Sequence, residues 1–400
     1  MSIKRSRLLI AAALACLMLV LAVAQFRLQD LANAQSADQV MAPAFEVDPF
    51  WPKPLPNHWI LGMTIGVAVD SRDHVFIVHR DQQENFNART EIGLASGVSE
   101  CCTPAPPILE FDRDGNLINA WGDSGGTGNG YVWPASNHGI EVDAMGNVWI
   151  GGNGMGDSHI LKFSGDGTFL QQIGEPGNMP DSNSRTHFSR VAEIAIDASA
   201  NEAYIADGYG NKRVAVLDVD TGAFKRYWGA YGNRPDDAEN AYDPDGPPAQ
   251  QFTGPVHCAE PSLDGLVYVC DRTSDRIQVF RTDGTFVTEK IIAPLTLSQG
   301  STWDIAFSKD PEQTYMYVTD GQNMKVYILE RETLEVLTSF GDGGRQPGLF
   351  FAPHSIATDS QGNIYTTETY EGRRVQKFVY QGLRPVPAAN QGAPWPADEL

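Results

Sequence analysis

Three histidines carry the clearest chemical signal in this chain. His138 lies in SNHGIEVD, His257 in GPVHCAEPS and His354 in APHSIATD. Each stands five residues before the Asp or Ser that closes a short apolar run: Asp143, Ser262 and Asp359. Three imidazoles brought to one point, with a fourth position open, suit catalytic zinc or another imidazole-preferring metal. A lone histidine reads more simply as a group bonded to neighbouring backbone. Three in one register call for a shared geometric cause.

That cause is a repeat. An apolar strand ending in Asp or Ser, a polar turn and a second apolar strand recur six times. The units read GVAVDSRDHVFIVHR from Gly66, GIEVDAMGNVWIGG from Gly139 and EIAIDASANEAYIADG from Glu193. They continue as CAEPSLDGLVYVCDR from Cys258, DIAFSKDPEQTYMYVTDG from Asp304 and SIATDSQGNIYTTET from Ser355. Most add a second hairpin, such as ILKFSGDGTFLQQIG from Ile160. Alternating polarity with Asp-Gly turns marks antiparallel hairpins. The pattern predicts an all-β chain: a six-bladed β-propeller with four antiparallel strands per blade. The last unit shows three clear strands, and Phe45-Glu46-Val47-Asp48 can supply the missing outer one.

Aligned on Asp70, Asp143, Asp197, Ser262, Ser308 and Asp359, the residues five places earlier are Ile65, His138, Ala192, His257, Trp303 and His354. Histidine falls in alternate units, roughly 120° apart in a six-fold ring, so the three side chains converge on the axis. His58, His74, His79, His159 and His187 lack this register and read as surface or loop residues.

The second strand of each blade returns to the mouth where the histidines sit. Arg80 and Arg272 end such strands at equivalent places, and two guanidiniums beside a metal suit a carboxylate. The plainer reading pairs each with a blade aspartate. Tyr209, in ADGYGNKR, is a candidate proton acceptor if metal and arginine lower its pKa, or simply a rim aromatic. Two long connections, 81–107 and 230–255, also open on the mouth and have the length of lids. The second carries Asp236, Asp237, Glu239, Asp243 and Asp245 without the ordered spacing of a calcium loop, so it reads as solvated.

The chain has 400 residues, 29 Lys+Arg and 50 Asp+Glu, hence 29 − 50 = −21 and a pI near 4.7. Such acidity disfavours nucleic acid and anionic membrane surfaces as partners. Lys4, Arg5 and Arg7 precede an uncharged run, Leu8 to Ala24, in the order of a secretory signal. Residues 1–34 are expected to be that signal, cleaved after Ala34 or kept as an anchor. Residues 42–383 form the propeller, and 384–400 a Pro/Ala-rich tail lying loosely on its surface. An exported, periplasmic or secreted monomer is expected. Cys258 and Cys270 flank a turn at Asp264-Gly265 and can face each other across a hairpin. Cys101 and Cys102 either form a vicinal bridge or stay free.

Over roughly residues 50–380 the chain resembles the NHL-type six-bladed propellers. Among them it is most similar to the peptidyl-α-hydroxyglycine α-amidating lyases. The resemblance rests on the three histidine segments, on Tyr209 in ADGYGNKR, on Arg272 in CDRTSDRIQVF and on Arg80 in IVHR. It implies zinc on His138, His257 and His354, and catalytic roles for Tyr209, Arg272 and Arg80. The implied reaction cleaves a C-terminal α-hydroxyglycine to a peptide amide and glyoxylate. It also implies calcium, through the carbonyls of Val67 and Ile140. The family's aspartate after the third histidine is Ser355 here, its methionine two residues before that histidine is Ala352, and its cysteine after the tyrosine is Gly210. A non-catalytic propeller that binds a peptide or protein is the competing reading. A sugar-lactonase-type hydrolase ranks last, because such sites use a carboxylate-rich metal shell.

Overall fold

The computed structural model describes residue 25 and residues 38–81, 100–123, 126–128, 130–238 and 240–396. The expected signal apart from Gln25, residues 82–99 of the first long connection, and Glu239 fall outside them.

The repeat folds because each unit ends its first strand with a side chain that builds the next turn. The Asp143 carboxylate accepts from the Met145 and Asn147 N–H groups at 3.0 and 2.9 Å. Asp359 does the same for Gln361 and Asn363, and Asp70 for Arg72 and His74. Where the unit has serine, the hydroxyl substitutes: Ser262 Oγ accepts from the Leu266 N–H at 3.2 Å. A short oxygen at this place satisfies turn N–H groups that have no ladder partner. Gly265 closes the fourth such turn at φ 81°, which a side chain would resist.

Six four-stranded antiparallel sheets result. Blade 1 comprises Thr64–Val69, Val75–His79, Ile108–Phe111 and Leu117–Trp121. Blade 2 comprises Asn137–Val142, Val148–Gly152, His159–Phe163 and Phe169–Gly174. Blade 3 comprises Glu193–Asp197, Glu202–Asp207, Arg213–Asp218 and Phe224–Trp228. Blade 4 comprises Val256–Pro261, Leu266–Asp271, Arg276–Arg281 and Phe286–Ile291. Blade 5 comprises Asp304–Phe307, Tyr315–Asp320, Lys325–Glu330 and Glu335–Phe340. Blade 6 comprises Pro353–Thr358, Ile364–Glu368 and Arg374–Pro387, with Gln39–Asp48 as its outer strand. The chain is a six-bladed β-propeller, and its N-terminal strand closes the ring.

That closure is made by packing as well as pairing. Phe45 is 2% exposed and meets Tyr317, Phe340 and Tyr380, so it joins blades 5 and 6. Apolar clusters fill the wedges between neighbouring blades elsewhere, as where Trp228 and Phe280 meet between blades 3 and 4. Buried ion pairs pin several mouth connections: Asp207 with Arg213 at 2.8 Å in blade 3, and Asp271 with Arg276 at 2.7 Å in blade 4.

Cys258 and Cys270 are register partners in blade 4, with sulfurs at 2.04 Å. Cys101 and Cys102 also lie at bonding distance. The C-terminal segment differs from expectation. The last strand runs to Pro387, the Gln391 N–H donates to Ser339 O, and Pro394 O accepts from the Val47 N–H. The tail is therefore tied across blades 5 and 6, because its backbone completes donors and acceptors left on the outer strands. Two histidines also differ from expectation: His79 and His159 are buried at 0% and 1%. Each bonds backbone carbonyl, His79 to Pro106 and His159 to Val132, which offsets part of the cost of burying a polar ring.

Candidate metal centre

His138, His257 and His354 start the innermost strands of blades 2, 4 and 6, each beside a bulge that turns the side chain onto the axis. Their ring centroids lie 4.8, 4.8 and 5.2 Å apart, and their candidate ligand atoms all fall within 4.8 Å of one another. All three are buried.

The orientation of each ring is set by the blade that follows. His138 Nδ1 bonds Ala192 O at 2.6 Å, His257 Nδ1 bonds Trp303 O at 2.5 Å, and His354 Nδ1 bonds Ile65 O at 2.6 Å. Ala192, Trp303 and Ile65 are the repeat positions of the blades without histidine. The ring thus alternates imidazole and orienting carbonyl. A carbonyl can only accept, so each Nδ1 carries the proton and each Nε2 presents a lone pair. Such an outer partner is what fixes the tautomer of a metal-binding histidine. Burial, joined by the nearby guanidiniums and neighbouring rings, holds all three pKa values far below the usual histidine range; His354 falls to about 3. Three neutral imidazoles with converging lone pairs are competent to hold a metal ion.

Tyr209 Oη lies over this triad, 3.0 Å from His138 Nε2 and 3.1 Å from His257 Nε2. Its segment admits little variation. A Cβ on Gly208 would come within 2.0 Å of Val256 O, and one on Gly210 within 2.1 Å of Ser189 Oγ. Gly210 therefore has no room for the cysteine that the resemblance implies. Beneath it, Asp207 accepts from the Ser189 N–H, Asn211 and Arg213.

Arg272 Nη1 donates to Tyr209 Oη at 3.1 Å and Nη2 to Gln299 Oε1 at 2.8 Å. Its guanidinium lies 4.5 Å from the Trp303 ring centroid, and Trp303 in turn packs on His257 and His354. Arg80 donates to Asn153 Oδ1 at 2.9 Å and to Asn137 O at 3.3 Å. The bonds of both arginines thus go to neutral groups rather than to a blade aspartate. All six residues singled out in the sequence share one mouth.

The carbonyl positions for calcium are less favourable. Ser355 Oγ stands where a carboxylate is implied, and it accepts from the Val67 N–H at 3.4 Å. At that position the site offers a neutral hydroxyl in place of a carboxylate. Ala352 replaces a methionine, yet the Met324 thioether from blade 5 reaches the Ala352 N–H at 2.9 Å. The acidic connection is tied down: Asp237 accepts from Ser182 at 3.0 Å, while Asp236 and Asp243 cap their own turns. None of its carboxylates belongs to a three-ligand cluster among the described residues.

Four carboxylates on the channel wall below the histidines escaped the sequence reading: Glu141, Glu193, Glu260 and Asp304. Burial raises all four pKa values, that of Glu141 to about 7, and repulsion by neighbouring carboxylates adds to it for the three glutamates. Asp304 is bonded by the Ile305 and Ile356 N–H groups, and Glu193 by the Ala259 N–H. A signal existed. HGIE and HCAE place glutamate three residues after two of the histidines, and Glu193 and Asp304 each follow a non-histidine repeat position.

No family model matches the chain. NHL repeat-containing protein 3 of Mus musculus is 26% identical over 352 residues, covering 84% of both chains. Peptidylglycine alpha-amidating monooxygenase of Rattus norvegicus is 24% identical over 335 residues. The protein is a six-bladed propeller related to the NHL-repeat and peptidylglycine α-amidating proteins. That match covers 80% of this chain but 30% of the monooxygenase, so the propeller described here corresponds to less than a third of that relative's length. A solved virginiamycin B lyase from Staphylococcus aureus, a catalytically inactive variant with quinupristin, aligns with TM-score 0.47 at 14% identity, over 87% of this chain and 89% of that one.

Proposed function

We propose that this propeller is a metal-dependent carbon–nitrogen lyase. Its substrate would be an α-hydroxyglycine-type compound, and its products an amide and glyoxylate. The observation that carries the reading is Tyr209 Oη, 3.0 and 3.1 Å from two converging Nε2 atoms and 3.1 Å from Arg272. His138, His257 and His354 would hold zinc, which when bound lowers the pKa of a hydroxyl presented to it.

The protein's own groups account for the remaining chemistry. Tyr209 Oη takes the proton of the substrate hydroxyl. The oxygen's electron pair then forms the glyoxylate carbonyl as the C–N bond breaks. The leaving nitrogen receives the proton from Tyr209, so no water is consumed. Arg272 places its positive charge beside the oxygen that takes and returns the proton, and Arg80 orients the substrate carboxylate. The half-buried mouth limits the water that competes for these bonds.

The sequence of residues 1–34 and the two cysteine pairs support an exported, periplasmic or secreted chain. A monomer acting on a small molecule or peptide with a free carboxylate fits the single mouth. A second reading is a non-catalytic propeller that binds a peptide. It draws on the match to NHL repeat-containing protein 3, whose name carries no reaction, over 84% of each chain. Glyoxylate assay of the zinc-loaded protein with an α-hydroxyglycine peptide separates the two: release supports the lyase, and peptide binding without release supports the second.

A further inference from the structure

A third arginine reaches the mouth. Arg190 lies just before blade 3, at φ 64°, outside the repeat register. Its backbone is part of the Tyr209 support: its N–H donates to Asp157 O at 2.8 Å and its carbonyl accepts from the Tyr209 N–H at 3.2 Å. The side chain turns onto the mouth. Its guanidinium carbon lies 5.7 Å from the Tyr209 ring centroid, close to the 5.6 Å of Arg272.

Asn153 yokes Arg190 to Arg80. Its backbone carbonyl accepts from Arg190 Nε at 2.7 Å and its side-chain Oδ1 accepts from Arg80 Nη2 at 2.9 Å. The two terminal nitrogens of Arg190 make no hydrogen bond among the described residues. Arg80 Nη1 reaches only the Met63 thioether, at 3.6 Å. Arg272 is different, since its terminal nitrogens are taken by Tyr209 and Gln299. Two like charges held on one asparagine repel each other until an anion lies between them. Their open donors match the planar, two-oxygen geometry of a carboxylate.

We propose that Arg190 is a substrate-binding residue, which with Arg80 grips the substrate carboxylate and leaves Arg272 to Tyr209. The nature of the anion rests on the lyase reading; the pairing of the two arginines does not. The test uses the zinc-loaded full chain and two inert probes, an N-acetyl dipeptide ending in glycine and its C-terminal amide. Calorimetry of wild type is expected to show the acid bound about tenfold or more tighter than the amide. Arg190→Asn, which tolerates positive φ, is expected to shrink that preference below about threefold while zinc content stays at wild-type level. Arg190→Lys should recover part of it, and Asn153→Ala should weaken it by releasing Arg80 alone, since the backbone carbonyl that holds Arg190 remains. In turnover, Arg190→Asn is expected to raise KM about tenfold with kcat within about threefold, the pattern of lost uniform binding. An undiminished acid preference in Arg190→Asn, or no preference in wild type, overturns the proposal. Absence of glyoxylate with the acid preference intact would overturn the lyase reading alone.

Discussion

His354 Nδ1 bonds the backbone carbonyl of Ile65 at 2.6 Å, across the seam where the last blade meets the first. The two residues occupy the same repeat position in neighbouring blades. The equivalent bonds from His138 to Ala192 and from His257 to Trp303 complete a ring of three donors and three acceptors. The metal-binding geometry is thus a property of the closed propeller, because each imidazole is oriented by a blade other than its own. Closing the ring and arming the site are one event.

Replacing one histidine should remove the metal and spare the fold. His257→Ala is expected to lose zinc affinity by more than the roughly 10–100-fold that loss of an outer partner costs. The unfolding transition of the metal-free variant should stay close to that of the metal-free wild type, since the blades carry the core. Metal analysis after dialysis and thermal unfolding check both halves.

Tyr209→Phe separates metal binding from chemistry. Zinc content should be unchanged, because the three Nε2 groups remain. Turnover should fall about 10²–10⁴-fold, the usual contribution of a positioned proton-transfer group. Single-turnover measurement with the loaded variant checks this.

Phe45→Ala should destabilise the protein by about 3–4 kcal/mol, the cost of emptying a buried aromatic site. Phe45 is far from the histidines in sequence, yet it holds the strand that closes the ring. Denaturant titration should show the loss, with wild-type zinc affinity in the fraction that remains folded.

Glu141 gives a pH signature. Its folded pKa is raised to about 7, above the ordinary 4.5, so the folded chain holds more protons than the unfolded chain between those values. Stability from this group is full below about pH 4.5 and is lost as pH rises through 7. Glu141→Gln should therefore be more stable than wild type at pH 8, by about 1–2 kcal/mol after allowing for water in the channel, and no more stable at pH 4.5. Unfolding curves at the two pH values check the sign.

Loss of the Cys258–Cys270 bond should cost about 3 kcal/mol, the value for closing a loop of this length. Denaturant unfolding of oxidised against reduced wild type measures it, with the double variant Cys258→Ala and Cys270→Ala as a check on the reduced form.

The fold and the histidines could be read from the sequence because both follow the repeat. Asp143 and Asp359 recur where a turn needs a short oxygen acceptor, and His138, His257 and His354 recur at a fixed distance before it. Phe45 could be read because a six-fold ring lacking one outer strand must find it elsewhere. Arg190, Asn153 and Gln299 could not be read, since they sit in connections of unequal length where register has no meaning. The burial of His79 was hidden because its partners come from a connection rather than a strand. The channel carboxylates had a spacing signal, but a buried acid is an unfavourable expectation until its backbone donors are visible. The ties of the tail are hidden for a similar reason: its proline-rich composition conceals the Pro394 carbonyl and the Gln391 N–H that hold it to the outer strands.

The most direct test of the central claim is glyoxylate release from an α-hydroxyglycine peptide by the zinc-loaded chain, measured beside zinc-loaded Tyr209→Phe. The account predicts one glyoxylate per peptide amide from wild type, and release slowed by at least about a hundredfold in the variant at equal zinc content. Fully loaded wild type that releases no glyoxylate, or a variant that matches it, would contradict the account.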